Sequence, residues 1–391
     1  MITYEKKFLE FCKKNIVILA FIVITIISLL IRFFLKDFIS WDMENCLLPW
    51  YDEIGKKGFH ALENQVGDYN ILYQFVIACM TKMRINPLYG YKLFSVFFDY
   101  TLAISTGIFV YHNISKSKKS FLCAYMSIVL SPIVFLNSSC WGQCDAIYSA
   151  FAVLAIFACL NEKYIAMMVL YGISFAFKFQ AIFILPFFLL IYFVKRKFSI
   201  IHFLIIPLSM IVASLPGILV GRSILDTFQI YSNQVGRSTI FQMNYPSAWC
   251  ILVPSNLASD ATFQSVKNVA ILVTIAILIL LFTIWLVEQV DFTVENMIYM
   301  AFLICYTCVL FLPAMHERYG FIYEILATII FFYYKKTGFA LVALLTQTCL
   351  IYGNCLFGLG YWINYFSSFI NIVIYLVYVL MLNKKMIKSE E

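Results

Sequence analysis

The sequence predicts an all-helical, polytopic membrane protein, and two observations carry that reading. Of its 391 residues 63% are hydrophobic and only 13% charged, and the mean hydropathy is +0.87. A soluble domain would hold about 45–50% apolar and about 25% charged residues. Windows at 15–35, 268–287 and 365–382 are each largely apolar and close to the ~20 residues that a hydrocarbon core requires. A net charge of +7 does not signal nucleic acid, because the basic residues stand in small clusters between apolar runs, where they act as topology signals.

There are twelve cysteines. Cys79, Cys123, Cys159, Cys305 and Cys308 lie inside apolar segments, where a thiol behaves as a small hydrophobe. The one CxxC, Cys305 and Cys308, has no second pair at zinc-site spacing, so neither a metal site nor a disulfide framework is expected. The lysines before the first apolar run, with no small-residue cleavage site after it, predict a retained anchor rather than a signal peptide.

Lysine clusters order the helices. Lys6/Lys7/Lys13/Lys14, Lys116/Lys118/Lys119, Lys163, Lys195/Arg196/Lys197, Lys335/Lys336 and Lys384/Lys385/Lys388 hold more than half of the 28 basic residues. If all six clusters are cytoplasmic, an even number of crossings separates each from the next. Between the first two lie three apolar runs, 15–35, 71–84 and 91–112, and one of them must not cross. The run 71–84 contains Gln74, Lys82 and Arg84. At ~1.5 Å per residue it reaches only about 21 Å of a ~30 Å core, so it is expected to be juxtamembrane or re-entrant. Hairpins follow at 121–136 with 145–160, 164–178 with 180–194, 198–220 with 268–287, 297–313 with 319–334, and 338–352 with 364–383. The expected total is about 12 crossings, within about 10–14, with both termini cytoplasmic.

The outer side then holds the segments 36–90 and 221–267, and short turns at 141–145, 177–180 and 315–319. In the first segment Leu47, Trp50, Tyr51 and Ile54 fall on one helical face, with Lys56 and Lys57 beyond. That pattern predicts a helix lying in the membrane interface, bent or shortened at Pro49. The chain reads as one integral membrane domain over 1–391, with a motif-richer module at 1–220 and further helices at 221–391.

An ionisable group in or beside a span is by default a candidate functional residue. Asp42, Glu44, Asp52, Glu53, Asp68, Gln143, Asp145, Lys178, His316, Glu317 and Arg318 all map to the outer side, and Asp99 lies in the outer half of its span. In Trp41-Asp42-Met43-Glu44 a carboxylate can serve as general base toward a hydroxyl, or both acids can cap a helix start. In the turn Asn137 to Asp145, Trp141 and Gln143 can stack on and hydrogen-bond a sugar ring; alternatively the turn is a plain connection with Asp145 as cap. In Met315-His316-Glu317-Arg318-Tyr319, His316 and Arg318 can bind a phosphate while Glu317 orients them; the alternative is an exposed charged turn. Lys178, alone between apolar runs, can equally be a lysine snorkelling to headgroups.

In this order the motifs resemble the GT-C superfamily of multi-spanning glycosyltransferases that use polyprenyl-phosphate sugars. Trp41-Asp42-Met43-Glu44, Asp68-Tyr69-Asn70, Trp141-Gly142-Gln143-Cys144-Asp145, Phe177-Lys178-Phe179-Gln180 and His316-Glu317-Arg318 are similar to the motif series of the dolichyl-phosphate-glucose glucosyltransferases of N-glycan precursor assembly. Asn70 stands where those enzymes have proline, and Trp141 and Asp145 where they have His and Asn. The bacterial relatives of GPI-anchor mannosyltransferases are closer, with Trp-Gly-Gln-x-Asp and Met-His-Glu-Arg-Tyr as typical forms.

The resemblance implies a GT-C fold and a hexosyltransferase of the bacterial plasma membrane, with its active site facing outside. It would take a hexose from a polyprenyl-phosphate sugar to a lipid-linked or cell-envelope glycan, with inversion. It implies Asp42 as general base with Glu44 beside it, and His316, Arg318 and Lys178 on the donor phosphate. Trp141, Gln143, Asp145, Asp68, Glu317 and Asp99 would then contact sugar or acceptor. No cofactor is expected, and a divalent metal is not favoured, since His316 is the one motif histidine and no DxD pair is present. A lipid-linked polysaccharide polymerase or ligase is the first alternative, because 221–267 carries Arg222, Asp226, Arg237 and Asp260. A transporter is a weaker one, because the polar residues gather at one face and the halves are dissimilar. A purely structural subunit fits that clustering least.

Overall fold

The computed structural model describes residues 3–237, 241–253, 261–360 and 362–387. In chain order its helices are α1 (Thr3–Lys14), α2 (Ile16–Leu35), α3 (Leu48–Lys57), α4 (Ile71–Lys82), α5 (Pro87–Val110), α6 (Lys118–Val129), α7 (Pro132–Phe135), α8 (Asp145–Leu160), α9 (Tyr164–Phe177) and α10 (Leu185–Lys195). They continue as α11 (Ile205–Ala213), α12 (Leu215–Ile218), α13 (Asp226–Arg237), α14 (Trp249–Leu252), α15 (Ala261–Val287), α16 (Val294–Phe311), α17 (Phe321–Tyr333), α18 (Gly338–Phe357) and α19 (Trp362–Ile387). Among the described residues the extended pairing consists of isolated bridges from Met243 and Asn244 to His316.

The protein is an all-helical, multi-pass membrane protein. Among the described residues six helices are long and apolar enough to cross a bilayer: Ile16–Leu35, Pro87–Ser115, Gln264–Val287, Val294–Phe311, Lys335–Phe357 and Tyr365–Ile387. A seventh is counted if Lys118–Val129 and Pro132–Trp141, bent by 46° at their junction, form one span. The bend has a local cause, because Pro132 lacks the N–H that would continue the helix. The other five expected spans are shorter or interrupted. Those at 145–160, 164–178 and 319–334 become helices of 16, 14 and 13 residues. The run 180–194 starts as a 3-10 turn before Pro186, and 198–220 is broken before Pro216. The segment 71–84 is a 12-residue helix, started by Asn70, whose side chain accepts from Ile71 N at 2.7 Å.

Burial sorts the long helices. In the span of α16, 83% of residues are buried, against 11% in α2, so α16 lies at the centre and α2 at the lipid-facing rim. Phe109 stacks on Phe157 at 4.2 Å and 9° and meets Tyr333 at 6.4 Å. Each of these rings lies a few residues from a lysine cluster, and Lys197 pairs with Glu162 at 2.5 Å across two such turns. The clusters from 116 to 119, 163, 195 to 197 and 335 to 336 therefore share one end of the bundle.

The stripe of Leu47, Trp50, Tyr51 and Ile54 packs into the protein, with two of the four buried and two half-buried. Leu47 and Ile54 are buried, and Tyr51 Oη donates to Ile85 O at 2.6 Å. The stripe faces α4 and the start of α5. Pro49 sits in the first turn of α3, directly after a π-helical turn over Met43–Leu47 that distorts the helical run at this point.

A buried ion pair joins the rim helix to the centre. Arg32 Nη2 lies 2.8 Å from Asp99 Oδ2, with the two side chains 4% and 0% exposed. Arg32 also donates to Val129 O at 3.0 Å, and Ser138 Oγ donates to the same Asp99 oxygen at 2.5 Å. Removing one partner leaves an uncompensated buried charge. Asp99→Ala or Arg32→Ala is expected to lower stability by about 3–5 kcal/mol, read as a fall in detergent-solubilised melting temperature, with much of the loss recovered in the double variant Arg32→Met/Asp99→Leu.

Candidate active site

At the end opposite the lysine clusters a cavity of about 590 Å³ opens between the loops, within the range of small-molecule sites. Its polar lining includes Asp42, Asp68, Gln143, Lys178, His316 and Arg318. Its apolar lining includes Phe177, Phe183, Met243, Ile271, Leu312 and Met315. Residues from 42 to 319 thus meet in one place.

The Asp42 carboxylate is held by the turn that carries Trp141 and Gln143. Ser40 joins the two segments, accepting from Met43 N at 3.1 Å and donating to Trp141 O at 2.9 Å. Gly142 lets them close. Its φ is +76°, and a Cβ there would lie 2.4 Å from Met43 Cε, so both conformation and space call for glycine. Trp141 Nε1 donates to Asp42 Oδ2 at 3.0 Å and Gln143 Nε2 to the same oxygen at 2.5 Å. Arg318 Nη1 stands 3.4 Å from it. Three donors converge on Oδ2, while Oδ1 has no hydrogen-bond partner among the described residues.

Asp145 starts α8, where a carboxylate complements the helix dipole, and it is fully buried. Its Oδ1 takes Lys178 Nζ at 2.5 Å, and its Oδ2 takes Asn137 Nδ2 at 2.9 Å and stands 3.5 Å from Arg318 Nε. It lies behind the wall that Lys178 and Arg318 present. Lys178 is only 4% exposed, which excludes the snorkelling alternative. Its ammonium sits 5.6–5.8 Å from the ring centres of Tyr69, Tyr148 and Tyr319, a cage of negative π-faces around a cation.

The 314–319 turn is ordered by an unanticipated neighbour. Ala314 N donates to Phe241 O at 2.8 Å and Tyr245 N to Met315 O at 3.2 Å, so 241–245 pairs with the backbone that presents His316. Arg318 Nη1 donates to Glu317 Oε1 at 2.6 Å, and His316 Nδ1 is 3.7 Å from the other Glu317 oxygen. Burial works to raise the Glu317 pKa, but His316 and the Arg318 charge outweigh it and hold the carboxyl down to about 2. Glu317 is thus a fixed anion orienting its neighbours. The exposed-turn alternative fails here, since Glu317 is 4% exposed.

Asp68 and Tyr69 reach the cavity from a loop whose Gly67, at φ +69°, lies under the Trp50 ring; a Cβ would come within 2.3 Å of it. Tyr69 Oη donates to Gln143 Oε1 at 3.0 Å, which orients the amide that holds Asp42. Asn70 Nδ2 donates to Thr227 O and Tyr231 Oη, both at 3.0 Å, tying this loop to α13. Arg222 adds a second tie, donating to Asn64 O at 3.2 Å and Gln74 Oε1 at 3.1 Å. Asp260 and the Arg237 side chain lie outside the described residues.

Two candidates stand apart from this group. Glu44 is exposed and is not among the lining residues, and Asp99 is engaged with Arg32 and Ser138. Trp141, Asp145 and Glu317 form a second layer behind the lining. Reading the sequence missed Arg32 and the Tyr148 member of the cage, and it named Tyr319 and Arg222 without the contacts they make here. An arginine in the last turn of one span and an aspartate inside a later one was a usable signal for Arg32. Nothing in local periodicity marks the tyrosines, because aromatic residues fill the whole chain. Among the described residues no cluster of His, Cys, Asp and Glu is arranged to hold a metal ion.

No protein-family model matches the chain, and no curated protein matches it.

The Gly142 contact is testable by itself. Gly142→Ala is expected to destabilise the protein by about 1–3 kcal/mol through positive φ and overpacking. Adding Met43→Ala removes the clash but not the backbone strain, so a thermal-melt double-mutant cycle should show partial recovery only.

Proposed function

We propose that the protein is an integral membrane glycosyltransferase. It transfers a hexose from a polyprenyl-phosphate sugar to a hydroxyl of a lipid-linked or envelope glycan on the extracytoplasmic face, within a GT-C-type bundle of about 12 crossings and cytoplasmic termini. The observation that carries the reading is Asp42, whose Oδ2 is anchored by Trp141, Gln143 and Arg318 on a cavity that also offers Lys178 and His316. Such an anchored carboxylate with one unengaged oxygen is suited to accept a proton from a bound hydroxyl. A lining that combines Lys178, His316 and Arg318 with apolar side chains suits a lipid phosphate ester.

In this mechanism the acceptor O–H gives its proton to Asp42 Oδ1 as its oxygen forms the bond to the anomeric carbon. The bond from that carbon to the phosphate oxygen breaks, and the electron pair leaves with the polyprenyl phosphate. His316, Lys178 and Arg318 stabilise the developing charge. In the resting site Arg318 is surrounded by Asp42, Asp145 and Glu317; an arriving phosphate draws it from Asp42 and releases the base. Asp145 acts through Lys178 and Arg318 and is a positioning residue. The polymerase or ligase reading is favoured by one observation, that Tyr231, Gln234 and Lys267 of the later loop line the same cavity; it predicts products with many added sugars instead of one.

Purified protein incubated with polyprenyl-phosphate hexoses and membrane acceptor lipids is expected to give a product heavier by one hexose by mass spectrometry. No transfer from any donor would count against the proposal. Asp42→Asn is expected to reduce transfer by about 10²–10⁴-fold while donor binding persists; full activity would remove Asp42 as base. For orientation, Ser117→Cys is expected to react with a membrane-impermeant thiol reagent only in inverted vesicles, and labelling from outside would overturn the parity argument.

A further inference from the structure

The N-terminal helix α1 carries an apolar face that the protein leaves uncovered. Tyr4, Phe8, Phe11 and Cys12 recur at i, i+4, i+7 and i+8, which places them on one side of a helix with 3.6 residues per turn. Tyr4, Phe8 and Phe11 are 81%, 65% and 57% exposed. A helix standing free in water would keep all three rings hydrated. Lys7 and Lys14, two turns apart, border the stripe, and Lys6 and Lys13 lie one residue behind each. Four lysines against Glu5 and Glu10 leave α1 with an excess of two positive charges (4 − 2 = 2).

Its position decides what covers that face. The helix runs into α2, the 20-residue rim span with an arginine only in its last turn, so α1 begins where the hydrocarbon core ends. The joint is Asn15, with φ −109° and ψ 16°, well away from the helical ψ of about −42°. That departure marks a break between α1 and α2, across which Asn15 N still bonds Phe11 O and Leu19 N bonds Asn15 O, both at 3.0 Å. Lysine stems of this length can lie along apolar surface while the ammonium stays with headgroup oxygens.

We propose that α1 is a lipid-binding surface helix that docks on the anionic leaflet beside α2. Tyr4, Phe8 and Phe11 enter the acyl boundary, and the lysines engage acidic phosphate headgroups, each contributing on the order of fivefold to the preference for an anionic surface. The partner is the lipid phosphate itself, and the surface is separate from the cavity at the other end of the bundle.

The full-length protein is reconstituted into phosphatidylglycerol-rich vesicles or into phosphatidylcholine vesicles, and backbone hydrogen exchange is followed by mass spectrometry. Amides of 3–14 are expected to exchange about tenfold or more slowly in the anionic vesicles, while those of 16–35 stay protected in both and report correct insertion. The quadruple variant Lys6→Gln/Lys7→Gln/Lys13→Gln/Lys14→Gln should lose the difference between lipids, and Phe8→Ser should lose protection in both. Equal exchange of 3–14 in the two lipids, or a difference that survives the lysine variant, would overturn the proposal. So would protection that rises with protein density at fixed lipid composition, which would assign the face to a second copy of the chain.

Discussion

A charge buried in a membrane protein must find an opposite charge, and at one end of this molecule that requirement holds four chain segments together. Arg318 stands among Asp42, Asp145 and Glu317, and Lys178 completes the pairing of Asp145. Each of these groups would cost several kcal/mol if left alone in a low-dielectric interior. The segment after α2, the start of α8, the break after α9 and the turn before α17 therefore have one favourable arrangement, with all their ends converged.

The knot is shaped by backbone features that apolar packing alone would not demand. Gly142 and Gly67, both at positive φ with a side chain pressed against the Cα, bring Trp141 and Gln143 to the carboxylate of Asp42 and Tyr69 to the Gln143 amide. The chain breaks at Lys178 between α9 and the 3-10 turn that follows, so a lysine that would otherwise run along a helix face is delivered into a ring of tyrosines. Arg222 and Asn70 clamp the two long loops over the result. Rigid donors around one carboxylate oxygen leave its other oxygen as the place where chemistry can occur, which is the link from packing to the proposed transfer reaction.

The opposite end is organised by different physics. There the lysines are mostly exposed, their partners are few, and the rings of Phe109, Phe157 and Tyr333 seal the bundle beneath them. Charge at that end can be neutralised by water, salt and lipid headgroups, so it need not be paired inside the protein. The amphipathic α1 fits this environment. The two populations of charge thus do separate work: one meets the solvent and lipid boundary, and the other is desolvated around a cavity.

Much of this was legible in composition and order. The apolar excess specified a helical membrane protein, the run 145–160 coincides with Asp145–Leu160, and the lysine parity separated residues that do lie at opposite ends. Those features are local, or depend only on the count of charged residues between apolar runs, and a sequence carries them directly. The number of continuous spans was less legible, because Pro132 and Pro216 break helices whose hydropathy is uninterrupted. Which acid faces the cavity was not legible from local pattern; Asp42 and Asp68 were placed at the site by the order of motifs. Asp42, Asp145 and Asp99 look alike as isolated carboxylates near spans, yet one is at the wall, one behind it, and one paired with Arg32 some 67 positions away. Helical periodicity states which face of its own helix a residue occupies and says nothing of the helix opposite. Only the packing of distant segments chooses the partner, and the partner decides whether a carboxylate is structural or free to react.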